Sequence, residues 1–227
     1  MESYVKIKMN EKLFLRNPEE SELGKRIVEH SILLIHDIGF EAFTFKKLAT
    51  KIKTTEAGVY RYFENKHRLL IYIVDWYWCW QEYRLLFQTN NISKPEIKLK
   101  RAIKLLSSHV EIDNTFEYIN ETLLYDIVMR DGAKSYLSST VKEDNKNKLF
   151  QPYKDLCAHI ANIILECNKK YKYPRTLAST IIEMAHSQNY YMKNLPSLTD
   201  FANSKKDSDI SNFLENIVFS AINNTGK

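Results

Sequence analysis

Glycine occurs only five times in this 227-residue chain, at positions 24, 39, 58, 132 and 226, and proline is equally scarce. Both residues break helices, proline by removing a backbone donor and glycine by its conformational freedom, so their shortage favours long helical segments. It also excludes the glycine-rich phosphate loops of nucleotide-binding enzymes. The apolar spacing points the same way. Val28, Ile32 and Ile35 form one stripe, with Ile27, Leu34 and Ile38 beside it, and predict a helix from about residue 20 to 38. Gly39 stands where a left-handed residue closes such a helix, and Phe40 supplies the apolar contact that follows the cap.

Thr44 fits an N-cap, with Phe43 before it and Leu48 inside the helix as a hydrophobic staple, so a second helix is predicted from Phe45 to about Ile52. A third, Thr55 to Phe63, places Val59 and Phe63 on one face. Both are too short to be stable alone and must pack on the first. A long helix from Asn65 or Lys66 to about Thr89 carries Leu69, Ile73, Trp76, Trp80, Tyr83 and Phe87 at alternating spacings of four and three. Its other faces are apolar too, as expected of a central, buried helix. After a break at 90–95, helices are expected at about 96–111, 115–130, 143–170, 174–195 and 207–223. The last two are amphipathic, and either close the monomer core or meet their symmetry mates in a four-helix dimer interface. The expected fold class is all-α, with a three-helix N-terminal domain over 20–66 and a larger helical bundle over 67–227.

Charge is unevenly distributed. From Thr44 to Arg68 there are seven basic residues and two acidic ones, which accounts for the whole net charge of +5 and leaves the rest of the chain neutral. Such a cluster is the footprint of a polyanion-binding surface or else an ordinary solvated face. No apolar run approaches the roughly 18 residues of a membrane span, and the N-terminus lacks the continuous apolar stretch of a secretion signal. Cys79, Cys157 and Cys167 are odd in number and contain no C-x-x-C pair, so they read as reduced thiols of a cytoplasmic protein.

Other constellations invite a chemical reading. Glu183 and His186 form an E-x-x-H pair, half of a di-iron bundle site whose second half the sequence lacks, so no metal is expected. Ser107-Ser108-His109 has no nucleophile elbow around it. Neither a cofactor nor an enzymatic activity is expected. The aromatic set Trp76, Tyr77, Trp78, Trp80, Tyr83, Tyr125, Tyr190 and Tyr191 is core, or lines a pocket for a small apolar or aromatic effector. Trp80, Tyr83, Tyr125 and Tyr191 are the candidate ligand contacts.

The most specific stretch is TFKKLATKIKTTEAGVYRYFENKHRLL, Thr44 to Leu70. Lys46 and Lys47 lie in the first turn of the second helix, where the helix dipole disfavours cations by about 0.3–1 kcal/mol. An anion at that helix end would explain them, as would simple solvation. Gly58 beside Ala57 leaves a nearly bare surface, suited to close approach of a DNA groove or to tight helix packing. Thr55, Tyr60, Arg61, Tyr62 and Lys66 are groups that hold phosphates. Glu56 is able to accept from a cytosine amino group, or to complement a helix N-terminus.

The arrangement Gly39-Phe40, Thr44, Leu48-Ala49, Thr55, Val59-Tyr60-Arg61-Tyr62-Phe63, Asn65-Lys66 and Leu69-Leu70 resembles the DNA-binding domain of TetR-family regulators over about residues 22–70. The resemblance implies a homodimeric transcriptional repressor whose recognition helices enter successive major grooves of a palindromic double-stranded operator. It implies Thr44, Lys46, Tyr60, Tyr62 and Lys66 near phosphates, Thr55 to Gly58 nearest the bases, and release of DNA by a small molecule in the C-terminal bundle. Lys47 and Arg61 join the DNA-binding set by their charge. The chain departs from the family at Lys53, where a glycine is usual, at Thr54, where an apolar residue is usual, and at Ala57-Gly58, where glycine precedes a hydroxyl residue. Two other readings stay open: a helical adaptor that has lost DNA binding, and a helical-bundle enzyme, which would need a metal or carboxylate cluster.

Overall fold

A computed structural model describes residues 7–108, 118–204 and 208–224. Among them there are ten α-helices and no strand: α1 (Glu22–Ala42), α2 (Phe45–Lys51), α3 (Glu56–Tyr60), α4 (Lys66–Thr89), α5 (Pro95–Ser107), α6 (Glu121–Asp131), α7 (Val141–Lys146), α8 (Gln151–Cys167), α9 (Pro174–Asn194) and α10 (Ser208–Asn223). No helix among the described residues is long and apolar enough to cross a membrane.

The chain forms two compact units, Met1–Cys79 with Val110–Pro152, and Trp80–His109 with Tyr153–Lys227. In the first, Ile27, Val28, Ile32 and Ile35 of α1 are buried, as are Leu48, Val59, Phe63, Leu124 and Ile127. Every residue of α4 from Leu69 to Trp78 is buried as well, which explains why that stretch is apolar on all faces. In the second unit the buried stripes are Leu99 and Ile103, then Leu156, Ile160 and Ile164, then Ala178, Ile181 and Ala185, and finally Leu214, Val218 and Ile222. One face of α9 and of α10 therefore closes its own unit's core. Leu195, just after α9, and Phe213 and Ile217, on another face of α10, stay 45, 39 and 36% exposed.

Gly39 takes φ 78° and ψ 157°, a conformation that interrupts α1 before its last turn and that only glycine enters readily. The interruption falls where the spacing predicts the helix end. Two expectations need correction. The helix expected over 115–130 begins at Glu121, capped by the Asn120 side chain, which accepts from the Leu123 N–H at 3.0 Å; part of that expectation lies outside the described residues. The helix expected over 143–170 is two helices, α7 and α8, parted by Lys148 in the left-handed region at φ 58°. Leu149 is fully buried, and Asp144 is held by Arg68 Nη1 at 2.6 Å and Thr140 Oγ1 at 2.7 Å. Burial and pairing of these two residues override the helix propensity of the lysines around them.

Candidate nucleic-acid interface

Local chemistry sets the geometry of α2 and α3. The Thr44 hydroxyl accepts from the Lys47 N–H at 3.2 Å and the Thr55 hydroxyl from the Gly58 N–H at 3.1 Å, so each threonine caps its helix. Phe43 and Leu48, the predicted staple, are fully buried. The turn between the helices is closed by Thr54 N–H donating to the Ala49 carbonyl at 2.9 Å and by the Arg26 guanidinium donating to the Ile52 carbonyl at 2.6 Å. Lys53, where the resemblance implies a glycine, takes φ 52°. The left-handed turn is thus kept with a side chain that pays about 1–2 kcal/mol to adopt it. Lys53→Gly is expected to raise the thermal unfolding midpoint, with a gain of about 1 kcal/mol; an unchanged or lower midpoint would show that the lysine is not strained.

The surface these two helices present is polar and basic. Thr44, Lys46, Lys47, Lys51, Lys53, Thr55, Glu56, Ala57 and Arg61 are exposed. Tyr60 is 46% exposed, and its ring stands edge-on to buried Phe45 with centroids 5.0 Å apart. The ring is therefore oriented while still facing water. Lys47 Nζ donates to the Ala42 carbonyl at 2.8 Å.

Three of the predicted contact residues are placed differently from the rest. Tyr62 is 2% exposed, and its hydroxyl lies 2.7 Å from the hydroxyl of Ser21, the cap of α1. Gly58 is buried, and a Cβ there would sit 3.0 Å from the Thr54 hydroxyl, so the bare surface is used for packing against the turn. The Lys66 ammonium lies 3.1, 3.1 and 3.3 Å from the carbonyls of Phe40, Glu41 and Phe43 and 4.7 Å from the Phe40 ring centroid. Its three protons therefore have acceptors at the end of α1, where a cation offsets the helix dipole.

Sequence spacing treats Tyr60 and Tyr62 alike, but α3 ends at Tyr60 and the chain then turns inward. Two further residues shape this region and were not legible. Arg130 at the end of α6 donates to the carbonyls of Ile35 at 2.6 Å and His36 at 3.1 Å. Lys134 bridges Glu41 at 2.9 Å and Asp131 at 3.0 Å. Their partners at the end of α1 lie more than ninety residues away, so no local pattern announces these contacts.

The aromatic candidates do not share one unit. Tyr125 is buried in the first, with its ring 6.4 Å from Tyr77. Trp80, Tyr83 and Tyr191 belong to the second: Trp80 is buried under the Arg84 guanidinium at 4.5 Å, Tyr83 is 41% exposed and stacks on Phe87, and Tyr191 is half-buried. Glu183 is exposed and accepts from the Tyr153 hydroxyl at 2.8 Å, whereas His186 is buried, so the E-x-x-H pair is not one site. No cluster of three or more metal-ligating side chains occurs among the described residues. Cys79, Cys157 and Cys167 form no disulfide, and each is half-buried.

Residues 27–73 match the family model described as bacterial regulatory proteins, tetR family. No curated protein matches the sequence. Similar solved structures include FadR from Bacillus subtilis in complex with stearoyl-CoA, 15% identical with a TM-score of 0.62, covering 86% of this chain and 97% of that one. AibR in complex with isovaleryl coenzyme A and operator DNA is 16% identical with a TM-score of 0.57, over 86 and 98%. The superantigen PfiT is 12% identical with a TM-score of 0.58, over 90 and 97%. At such identities the likeness is one of fold. Over residues 27–73, then, this chain matches the bacterial regulatory proteins of the tetR family, within an all-helical fold like that of the solved FadR and AibR structures.

Proposed function

We propose that the protein is a sequence-specific DNA-binding transcriptional repressor that acts as a homodimer. The observation that carries this reading is the exposed face of α2 and α3, which holds most of the chain's excess positive charge on a helix-turn-helix of the tetR type. On this reading Thr44, Lys46, Lys47, Tyr60 and Arg61 meet phosphates, and Thr55, Glu56 and Ala57 face base edges. Gly58, Tyr62 and Lys66 hold the domain in shape. Residues 20–66 form the DNA-binding domain and 67–227 the dimerisation and ligand-binding domain.

The apolar residues left exposed on α10, Phe213 and Ile217, and in the segment after α9, Leu195 and Leu198, support dimerisation through the C-terminal helices. FadR and AibR were each solved with an acyl-CoA, which supports a small-molecule effector with an apolar acyl chain. Such an effector must bind the non-DNA-binding conformation better, because equal affinity for two states shifts nothing. The adaptor reading draws support from PfiT, a protein of this fold named as a superantigen.

Selection from a random DNA pool separates the two. A regulator enriches a palindrome with half-sites about one helical turn apart; an adaptor enriches nothing, even at low salt. On the selected operator, Lys46→Ala with Lys47→Ala should weaken binding to all sequences alike. It should also flatten the log–log salt dependence by about 1 per lost phosphate contact. An unchanged slope in titrations at several salt concentrations would remove both lysines from the interface.

A further inference from the structure

The segment that precedes α1 lies outside the residues that match the family model, yet it is tied to the recognition helix. The Leu15 N–H donates to the Tyr62 carbonyl, two residues past α3, at 2.7 Å. The Arg16 guanidinium lies over the Tyr62 ring, 5.5 Å from its centroid. At its other end the Asn10 amide donates to the carbonyls of Asn147 at 3.0 Å and Lys148 at 3.2 Å. Lys12 Nζ donates to Asn147 Oδ1 at 2.8 Å. These carbonyls are displayed by the turn between α7 and α8, where Lys148 holds its positive φ. Between the two ends Leu13 is 1% exposed, and beyond Arg16 the Glu19 carboxylate accepts from the hydroxyls of Tyr72 on α4 and Tyr118.

These contacts close a ring within the first unit. From α7 itself, Asp144 accepts from Arg68 at 2.6 Å, and Arg68 N–H donates to Asn65 Oδ1 at 2.9 Å. Asn65 lies three residues beyond Tyr62, where the strap is attached. The link between α3 and α4 is thus held from one side by α7 and from the other by the N-terminal segment, which itself rests on α7–α8. A helix of five residues has little stability of its own, so its placement depends on what grips its ends.

We propose that residues 10–20 are a positioning strap for the recognition helix, so that operator affinity depends on Asn10, Lys12 and the Leu15 backbone as well as on the helix-turn-helix. This rests on the DNA-binding reading above. Leu15 and Asn10 are positioning residues that act through Tyr62 and the turn before α4.

Leu15 permits a clean test, because its side chain is 68% exposed while its N–H is engaged. Leu15→Pro removes the donor, and Phe14 before it is already extended, at φ −139° and ψ 156°, as a residue preceding proline must be. Leu15→Ala keeps the donor. Each variant is titrated against the operator selected by the wild-type protein, across a salt series and well below its own unfolding midpoint. Leu15→Pro should bind about tenfold more weakly with an unchanged salt slope, since no phosphate contact is lost, and Leu15→Ala should bind as wild type. The double variant Asn10→Ala with Lys12→Ala, which changes only side chains at the far end, should also weaken binding without changing the slope. Wild-type affinity in both Leu15→Pro and the double variant, with only the midpoint lowered, would make the strap a stability element and overturn the proposal. If Leu15→Pro does not fold, the double variant decides alone. A wild-type protein that selects no operator sinks the DNA-binding reading first and the strap with it.

Discussion

Gly24→Ala should destabilise the first unit by about 3 kcal/mol, toward the upper end for overpacked sites. Gly24 lies in the first turn of α1, where the Ser21 hydroxyl accepts from its N–H at 3.1 Å. By helix propensity alone the change to alanine would help, by up to about 1 kcal/mol. The structure reverses the sign. A Cβ at this position would lie 2.3 to 2.8 Å from the carbonyl oxygen, Cα and carbonyl carbon of Pro18. These are backbone atoms that no rotamer change can move aside. Relief requires lifting the Pro18 segment off α1, and that segment is part of the strap. Chemical denaturation of the variant reads the loss directly, and a gain in stability would mean that the segment yields freely. Operator affinity should fall along with stability if the strap positions α3.

Acid should weaken the second unit through His186. This side chain is buried on α9, and desolvation pushes its pKa down to about 3 from the ordinary 6.5. The folded protein then holds the imidazole neutral at pH values where the unfolded chain binds a proton. Stability is fully present above about pH 6.5 and is lost progressively as pH falls toward 3. Linkage with these two values gives a loss of about 3 kcal/mol between pH 7 and pH 4. Carboxylates titrate over the same range, so the wild type alone does not isolate the effect. His186→Leu removes the titrating group, and its stability should fall less than the wild type's over that interval, by about the same 3 kcal/mol. Parallel curves for the two proteins would mean that the imidazole takes up its proton in the folded state.

Much of the fold was legible because helices announce themselves locally. The 3.6-residue period of α1 and α4, the threonine cap at 44, the staple formed by Phe43 and Leu48, and Gly39 together placed the first four helices within a few residues of their observed ends. Prediction faltered where a distant partner overrides local preference. The segment 143–170 reads as one helix, yet Arg68 and the burial of Leu149 break it at Lys148. The candidate DNA face was legible in part, for a related reason. Lys46, Lys47, Thr55, Glu56 and Arg61 are exposed as their polarity suggests. Tyr62 and Lys66 instead serve Ser21 and the end of α1, and nothing in their spacing distinguishes them from Tyr60.

By itself the sequence determined the all-helical class, the position of the helix-turn-helix, and the concentration of positive charge between residues 44 and 68. Each depends on residue type and on spacing within a few turns, and both are written along the chain. Tertiary structure alone decided which aromatic and basic residues face solvent, where Arg130 and Lys134 clamp α1, how Lys53 sustains a left-handed turn, and that residues 10–20 strap α3 to α7–α8. Those outcomes hang on hydrogen bonds and contacts between residues far apart in sequence, whose geometry exists only once the chain has packed.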